Sequence, residues 1–161
     1  MGSPAQVHEI APDIDTGALL SGAQFSDAYS VAIDDATLDA RRVAERMLGR
    51  QPRWIAALMA LRNHLVAPFG LKTPAPAASI SSDSVGIFPV LSETPARLVA
   101  GFDDRHLDFR VVVDVAPLAQ GQRVTTTTLV LTHNLLGRTY LAIILPFHRL
   151  IVRSMLRRVA A

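Results

Sequence analysis

Two stretches of sequence decide the fold: HLDFRVVVDV at residues 106–115 and RVTTTTLVLT at residues 123–132. Both are rich in β-branched residues, whose branching at Cβ restricts χ1 in a helical turn and favours a strand. Pro117 and Gly121 lie between them, and both residue types favour turns. The two stretches therefore predict neighbouring antiparallel strands.

Apolar and polar residues also alternate in segments N-terminal to these two strands. Apolar residues at helical spacing occur both before and after this group of predicted strands. Runs of strand type separated by turn-forming residues predict a meander, with one further strand near the start of the chain. The predicted strands cover residues 25–33, 85–90, 97–102, 106–115 and 123–132. The predicted helices cover residues 38–48, 52–67 and 135–159, and the candidate N-caps of the first are Asp34, Asp35 and Thr37. Residues 73–84 are predicted to form a loop.

The last predicted helix is the expected cover for the sheet, because a single sheet cannot bury its apolar face on itself. Pro146 lies inside this helix and cannot donate to the carbonyl of Ala142, which predicts a kink or a break. One stripe of the helix is predicted to pack into the core and another to carry cations: Phe147, Leu150, Ile151, Met155 and Val159 on the first, Arg149, Arg153 and Arg157 on the second.

Length and composition indicate one α+β domain. The chain has 161 residues, of which 50% are hydrophobic and 19% charged. Residues 1–22 lack a sustained period and are predicted to form an N-terminal arm, with a single domain over residues 23–161. This arm has neither the basic start nor the apolar stretch of a secretory signal, so a cytoplasmic location is expected.

Several kinds of chemistry are excluded or disfavoured. The absence of cysteine excludes disulfides, thiolate catalysis and cysteine-ligated zinc. The five histidines lack metal-ligand spacing and no G-x-G-x-x-G follows a strand, so no metal or cofactor is predicted. Asp114 is the last acidic residue, which leaves the C-terminal third basic. Nucleic acid is not expected, since no aromatic stacking platform accompanies the arginines.

Five blocks of sequence from residue 69 onward resemble a known family. They are FGLK at residues 69–72, VGIFPV at 85–90, DDRHLDFR at 103–110, HNLLGRTY at 133–140 and PFHRLIV at 146–152. In this order they look like the recurring blocks of a bacterial domain-of-unknown-function family numbered 2867. The family resembles a branch of the helix-grip superfamily, with START domains, polyketide cyclases and the birch-pollen allergen. The resemblance implies a curved antiparallel sheet wrapped around a long C-terminal helix, with an apolar cavity between them, and it transfers no catalytic residue.

The strand around His106 carries the first candidate site. In an extended strand His106, Asp108 and Arg110 share one face, while Leu107 and Phe109 share the other. The polar residues either lie on the outer face, paired by charge, or face a pocket mouth. In the second case Asp108 could orient His106 as a base and Arg110 could hold an anionic group.

The next strand leads to a second candidate site. The two leucines in the alternating series Thr125, Thr127, Leu129, Leu131 and His133 indicate that this face is the inner one. His133 and Asn134 either bind a ligand at its rim or serve structure, with Asn134 as the N-cap of the last helix. Tyr140 and His148 on that helix complete the set of candidate ligand-binding residues.

Three functions are compatible with these residues. The favoured interpretation is a domain that binds a small apolar or amphipathic ligand in a cavity between the sheet and the last helix. An enzyme of the cyclase or hydratase kind, with His106 or His133 as the base, is the second. A module that binds a partner or a membrane surface through the basic C-terminal helix is the third.

Overall fold

The computed structural model describes residues 5–49, 68, 83–86 and 88–161. Within these residues the order of elements follows the periodicity of the sequence closely. The strands are β1 (His8–Ile10), β2 (Phe25–Ile33), β3 (Ser84–Val85), β4 (Phe88–Glu93), β5 (Arg97–Asp103), β6 (Leu107–Pro117) and β7 (Gln122–Thr132); the helices are α1 (Thr16–Leu19), α2 (Ala40–Leu48) and α3 (Leu135–Ala160).

The described strands form one antiparallel sheet in the order β1-β2-β7-β6-β5-β4-β3. Strands β3 to β7 pair in chain order as a meander, while β2 pairs with β7, placing Phe25 opposite Val130 and Ile33 opposite Gln122. With α3 packed on this sheet, the architecture confirms the predicted α+β helix-grip-like class. Strand β1 and helix α1 both lie within the stretch predicted to be an arm.

The predictions of one strand and of one N-cap are wrong. The single strand expected over residues 85–90 is divided into β3 and β4, because Gly86 adopts a φ of 60° and Val85 pairs with Phe88 across a tight turn. Only glycine reaches this left-handed region without strain. The N-cap of α2 is Asp39, whose carboxylate accepts from the Arg42 amide at 2.8 Å, and none of the three candidate caps fills this role.

The core lies between the inner face of the sheet, α2 and the second half of α3. Its helical part includes Val43 and Met47 of α2 and Val152, Met155 and Leu156 of α3. The predicted core stripe of α3 is therefore only partly right. Met155 and Val159 are buried and Ile151 is half-buried against the core, but Phe147 is 45% exposed and Leu150 is 61% exposed.

The inner face of β7 is the opposite of the one predicted. Val124 belongs to the core beneath the helices, and the hydroxyl of Thr126 lies 3.5 Å from the Met47 sulfur. Alternation then places Leu129 and Leu131 on the outer face. Leu129 is nevertheless fully buried there. Because both faces of this central strand are inaccessible to water at that point, the leucines do not identify the face toward the helices.

Helix α3 runs without a break through Pro146. Ala142, whose carbonyl loses its helical donor, lies in an exposed part of the helix where water can replace the missing bond. The predicted helix over residues 52–67 and most of the predicted loop over residues 73–84 lie outside the described residues.

Candidate functional site

The start of α3 is fixed to the turn before β6 by His106 and Asn134. The Asn134 side chain caps the helix by accepting from the Gly137 amide at 3.0 Å, and its Nδ2 lies 2.8 Å from Nδ1 of His106. The His133 amide donates to the His106 carbonyl at 2.9 Å. A side chain at Gly137 would collide with that same carbonyl oxygen, so glycine permits the close approach. An amide NH₂ can only donate, so His106 Nδ1 is the acceptor and its proton lies on the buried Nε2.

The charged residues of β6 do not form the predicted contact between Asp108 and His106. Asp108 lies 3.0 Å from Nε2 of His133, whereas His106 pairs with Asn134. Arg110 lies 2.7 Å from the Asp103 carboxylate and donates to the carbonyls of Phe102 and Phe109. All three contacts are made by Nη1 of the guanidinium. Asp108 and Arg110 are thus each paired with a side chain outside the row, and His106 is not paired with Asp108.

A second polar cluster lies beneath the middle of α3 and involves an acid that the sequence analysis did not single out. Asp27 of β2 holds its two carboxylate oxygens 3.2 and 3.4 Å from Nε2 of His148. Their side chains are 9% and 17% exposed, respectively. The Phe25 ring meets the imidazole edge-on at 6.2 Å between ring centres. A carboxylate on one ring nitrogen fixes the tautomer of the neutral imidazole and leaves Nδ1 as the basic atom.

Tyr29 continues this cluster along β2. Its side chain is fully buried, and its hydroxyl has no hydrogen-bond partner in the described structure. The Arg153 guanidinium lies over its ring at 5.5 Å, with Glu9 of β1 3.8 Å from the same guanidinium. Burial raises the pKa of the Tyr29 phenol; the negative charges of Asp27 and Glu9 add to this effect, and Arg149 and Arg153 oppose it.

An open groove runs along the first half of α3. Its volume is about 320 Å³, and it is lined by Gln24, Thr132, Arg138, Leu141, Ala142 and Leu145. Gln24 is held in place by bonds that its side-chain oxygen accepts from the amide and the hydroxyl of Thr132. The surface is mostly apolar, with the guanidinium of Arg138 as its cation. Leu141 and Leu145 are one turn apart, and His148 follows on the same side of the helix.

The predicted site residues therefore do not form one site but lie in separate parts of the structure. His106, Asp108, His133 and Asn134 meet at the end of the sheet, where their contacts hold the start of α3. Arg110 pairs with Asp103, Tyr140 is half-buried on α3, and His148 joins Asp27.

The groove residues and Asp27 were missed. Asp27 had a detectable signal, since it interrupts the apolar series Phe25, Tyr29, Val31 at the inward-facing positions of a predicted strand. Gln24 and Thr132 had no such signal in the sequence, because the contact between them depends on the pairing of β2 with β7.

Comparison with known proteins gives a family but no individual relative. Neither the curated proteins nor the solved structures include a match to this sequence. A family model described as "Protein of unknown function (DUF2867)" matches residues 19–155, which cover both polar clusters, the groove and most of α3. The chain belongs to the DUF2867 family.

Proposed function

We propose that this protein binds a small amphipathic molecule in the groove between α3 and the paired ends of β2 and β7. The observation that carries the proposal is the composition of the groove, in which Leu141 and Leu145 form an apolar wall and Arg138 supplies a cation. Its volume of about 320 Å³ lies at the lower end of the usual range for ligand pockets. The apolar part of the ligand packs on the leucines, and a carboxylate or phosphate bonds to Arg138.

The resemblance to the helix-grip superfamily supports the same position for the ligand. Relatives of that kind hold ligands between the sheet and the C-terminal helix, and the groove lies on that boundary. The position differs from the interior expected from the sequence. Leu131, which was expected to line the cavity, faces the other side of β7 and lies beside Gly22.

An anionic apolar fluorophore, 8-anilinonaphthalene-1-sulfonate, tests the proposal. We expect one molecule to bind per chain and to raise the melting temperature by linkage. Leu145→Trp fills the groove and should abolish binding, and Arg138→Gln should weaken it. Arg123→Gln, at the opposite end of β7, is the matched control and should change nothing. Binding that survives Leu145→Trp but is lost in Phe147→Ser would move the site to the outer surface of α3 and contradict the proposal.

A second candidate function, acid–base catalysis on the same ligand, is favoured by the Asp27–His148 pair. A shielded imidazole oriented by a carboxylate is a recurring arrangement for a general base. Native mass spectrometry of protein purified from cells would identify a co-purified ligand. That ligand is then incubated with the wild-type protein and with His148→Gln. A product formed only by the wild type supports the enzyme, and a ligand recovered unchanged from both supports binding alone.

A further inference from the structure

The outward face of the first half of α3 is apolar and exposed. Its large side chains are strongly exposed, with Leu135 at 78%, Ile143 at 65%, Leu150 at 61% and Phe147 at 45%. At 100° per residue these positions fall within about 120° of one another, so they form one continuous strip. Only 11% of the most apolar 18-residue stretch of the helix is buried.

Cations border this strip and continue along the helix. Arg149 is exposed beside it, and Arg157 extends the outward face toward the C-terminus. The helix has no acidic residue, since the last one in the chain is Asp114. Within the described residues, no ion pair neutralises Arg149 or Arg157. An apolar strip with an arginine border complements a surface that offers both apolar chains and negative charges.

The helix cannot cross a membrane while the domain is folded. By length and composition α3 is long and apolar enough to span, a property that core helices of other proteins share. Its second half, however, contributes Val152, Met155, Leu156 and Val159 to the core. The free strip is therefore confined to the outer side of the first four turns, which is the geometry of a helix that lies along an interface.

We propose that the outer strip of α3, formed by Leu135, Ile143, Phe147 and Leu150, docks the protein on an anionic lipid bilayer. The apolar side chains enter the boundary between headgroups and acyl chains, and Arg149 and Arg157 contact the headgroup phosphates. The strip lies on the opposite side of the helix from Leu145, so docking leaves the ligand groove on the protein side.

Flotation with vesicles of phosphatidylcholine, with and without about a third of phosphatidylglycerol, tests this proposal. We expect full-length protein to float with the anionic vesicles and to be released by high salt. Phe147→Ser combined with Leu150→Ser should abolish flotation, and Arg149→Gln should weaken partitioning about fivefold, the effect of one cation at such a surface. Leu91→Ser on β4 and Arg123→Gln on β7 are the matched controls.

Three outcomes would overturn the proposal. The first is a lack of flotation with anionic vesicles. The second is equal flotation of the double variant and the wild type. The third is a dimer, seen by light scattering and lost in Phe147→Ser, which would assign the strip to a second copy of the chain. Leu145→Trp should still float, which separates this surface from the ligand groove.

Discussion

At the scale of single residues, Tyr29 stands out because its buried hydroxyl has no partner among the described residues. An unsatisfied buried polar group costs about 1–3 kcal/mol, which a phenylalanine of the same shape would avoid. The surrounding charges also matter, because burial together with Asp27 and Glu9 raises the pKa of the phenol. Such a residue lowers stability at neutral pH unless a ligand or water bonds to it.

We therefore expect Tyr29→Phe to raise the free energy of unfolding at pH 7 by about 1 kcal/mol. Above pH ~10 the phenol of Tyr29 ionises in the unfolded chain but stays protonated in the folded one, where its pKa is raised. The wild type therefore loses stability as pH rises, and Tyr29→Phe does not have this loss. The gap between the two proteins should widen. Urea unfolding at both pH values, followed by circular dichroism, measures it, with Tyr140→Phe as the control. A less stable Tyr29→Phe at pH 7 would show that the hydroxyl is bonded.

At the scale of elements, the two halves of α3 differ, because the first half is largely exposed and the second half packs into the core. The periodicity of the sequence revealed its extent, because apolar residues recur at helical spacing throughout. It could not reveal which half packs, since Leu150 and Leu156 are the same residue type in the same helix. Their difference arises from long-range contacts with α2 and β2. The same limit applies to β7, where both faces carry residues that avoid water.

The two leucines supply a matched pair for measuring this division. Leu156 is fully buried, and Leu156→Ala should lower the free energy of unfolding by about 2–5 kcal/mol through lost contacts and a cavity. Leu150 is 61% exposed, and Leu150→Ala should change it by less than about 0.5 kcal/mol. Both values come from urea denaturation. Equal losses would mean that the first half of α3 is also covered in solution.

At the scale of the whole molecule, β1 covers part of an edge of the sheet. It pairs His8, Glu9 and Ile10 with residues 28–30 of β2, while Ala5 and Val7 pack against the core. No strand is predicted here from periodicity, because His8–Ile10 is short and exposed on all three side chains. The candidate site shows the same limit. The Asp27–His148 pair joins residues 121 positions apart, a separation that no local pattern reveals.

Removing residues 1–12 should leave the backbone of β2 unpaired over residues 28–30. Free edge groups recruit strands from other molecules, so we expect concentration-dependent self-association beyond that of the full chain. Size-exclusion chromatography with light scattering provides the measurement. Removal of residues 1–4 keeps β1 and is the control. A shortened chain with the oligomeric state of the full one would show that β1 does not protect this edge.

The pairing of β2 with β7 also has a consequence for biosynthesis. Ile33 is synthesised long before its partner Gln122, and at about 5–20 residues per second the delay between the two is roughly 5–20 s. During that interval the apolar face of β2 has no sheet to join. Strand β2 can join the sheet only after β7, the last strand of the meander, has been synthesised. Nascent chains of this protein are thus exposed to aggregation at their N-terminal end, and early association with a chaperone should favour its folding in the cell.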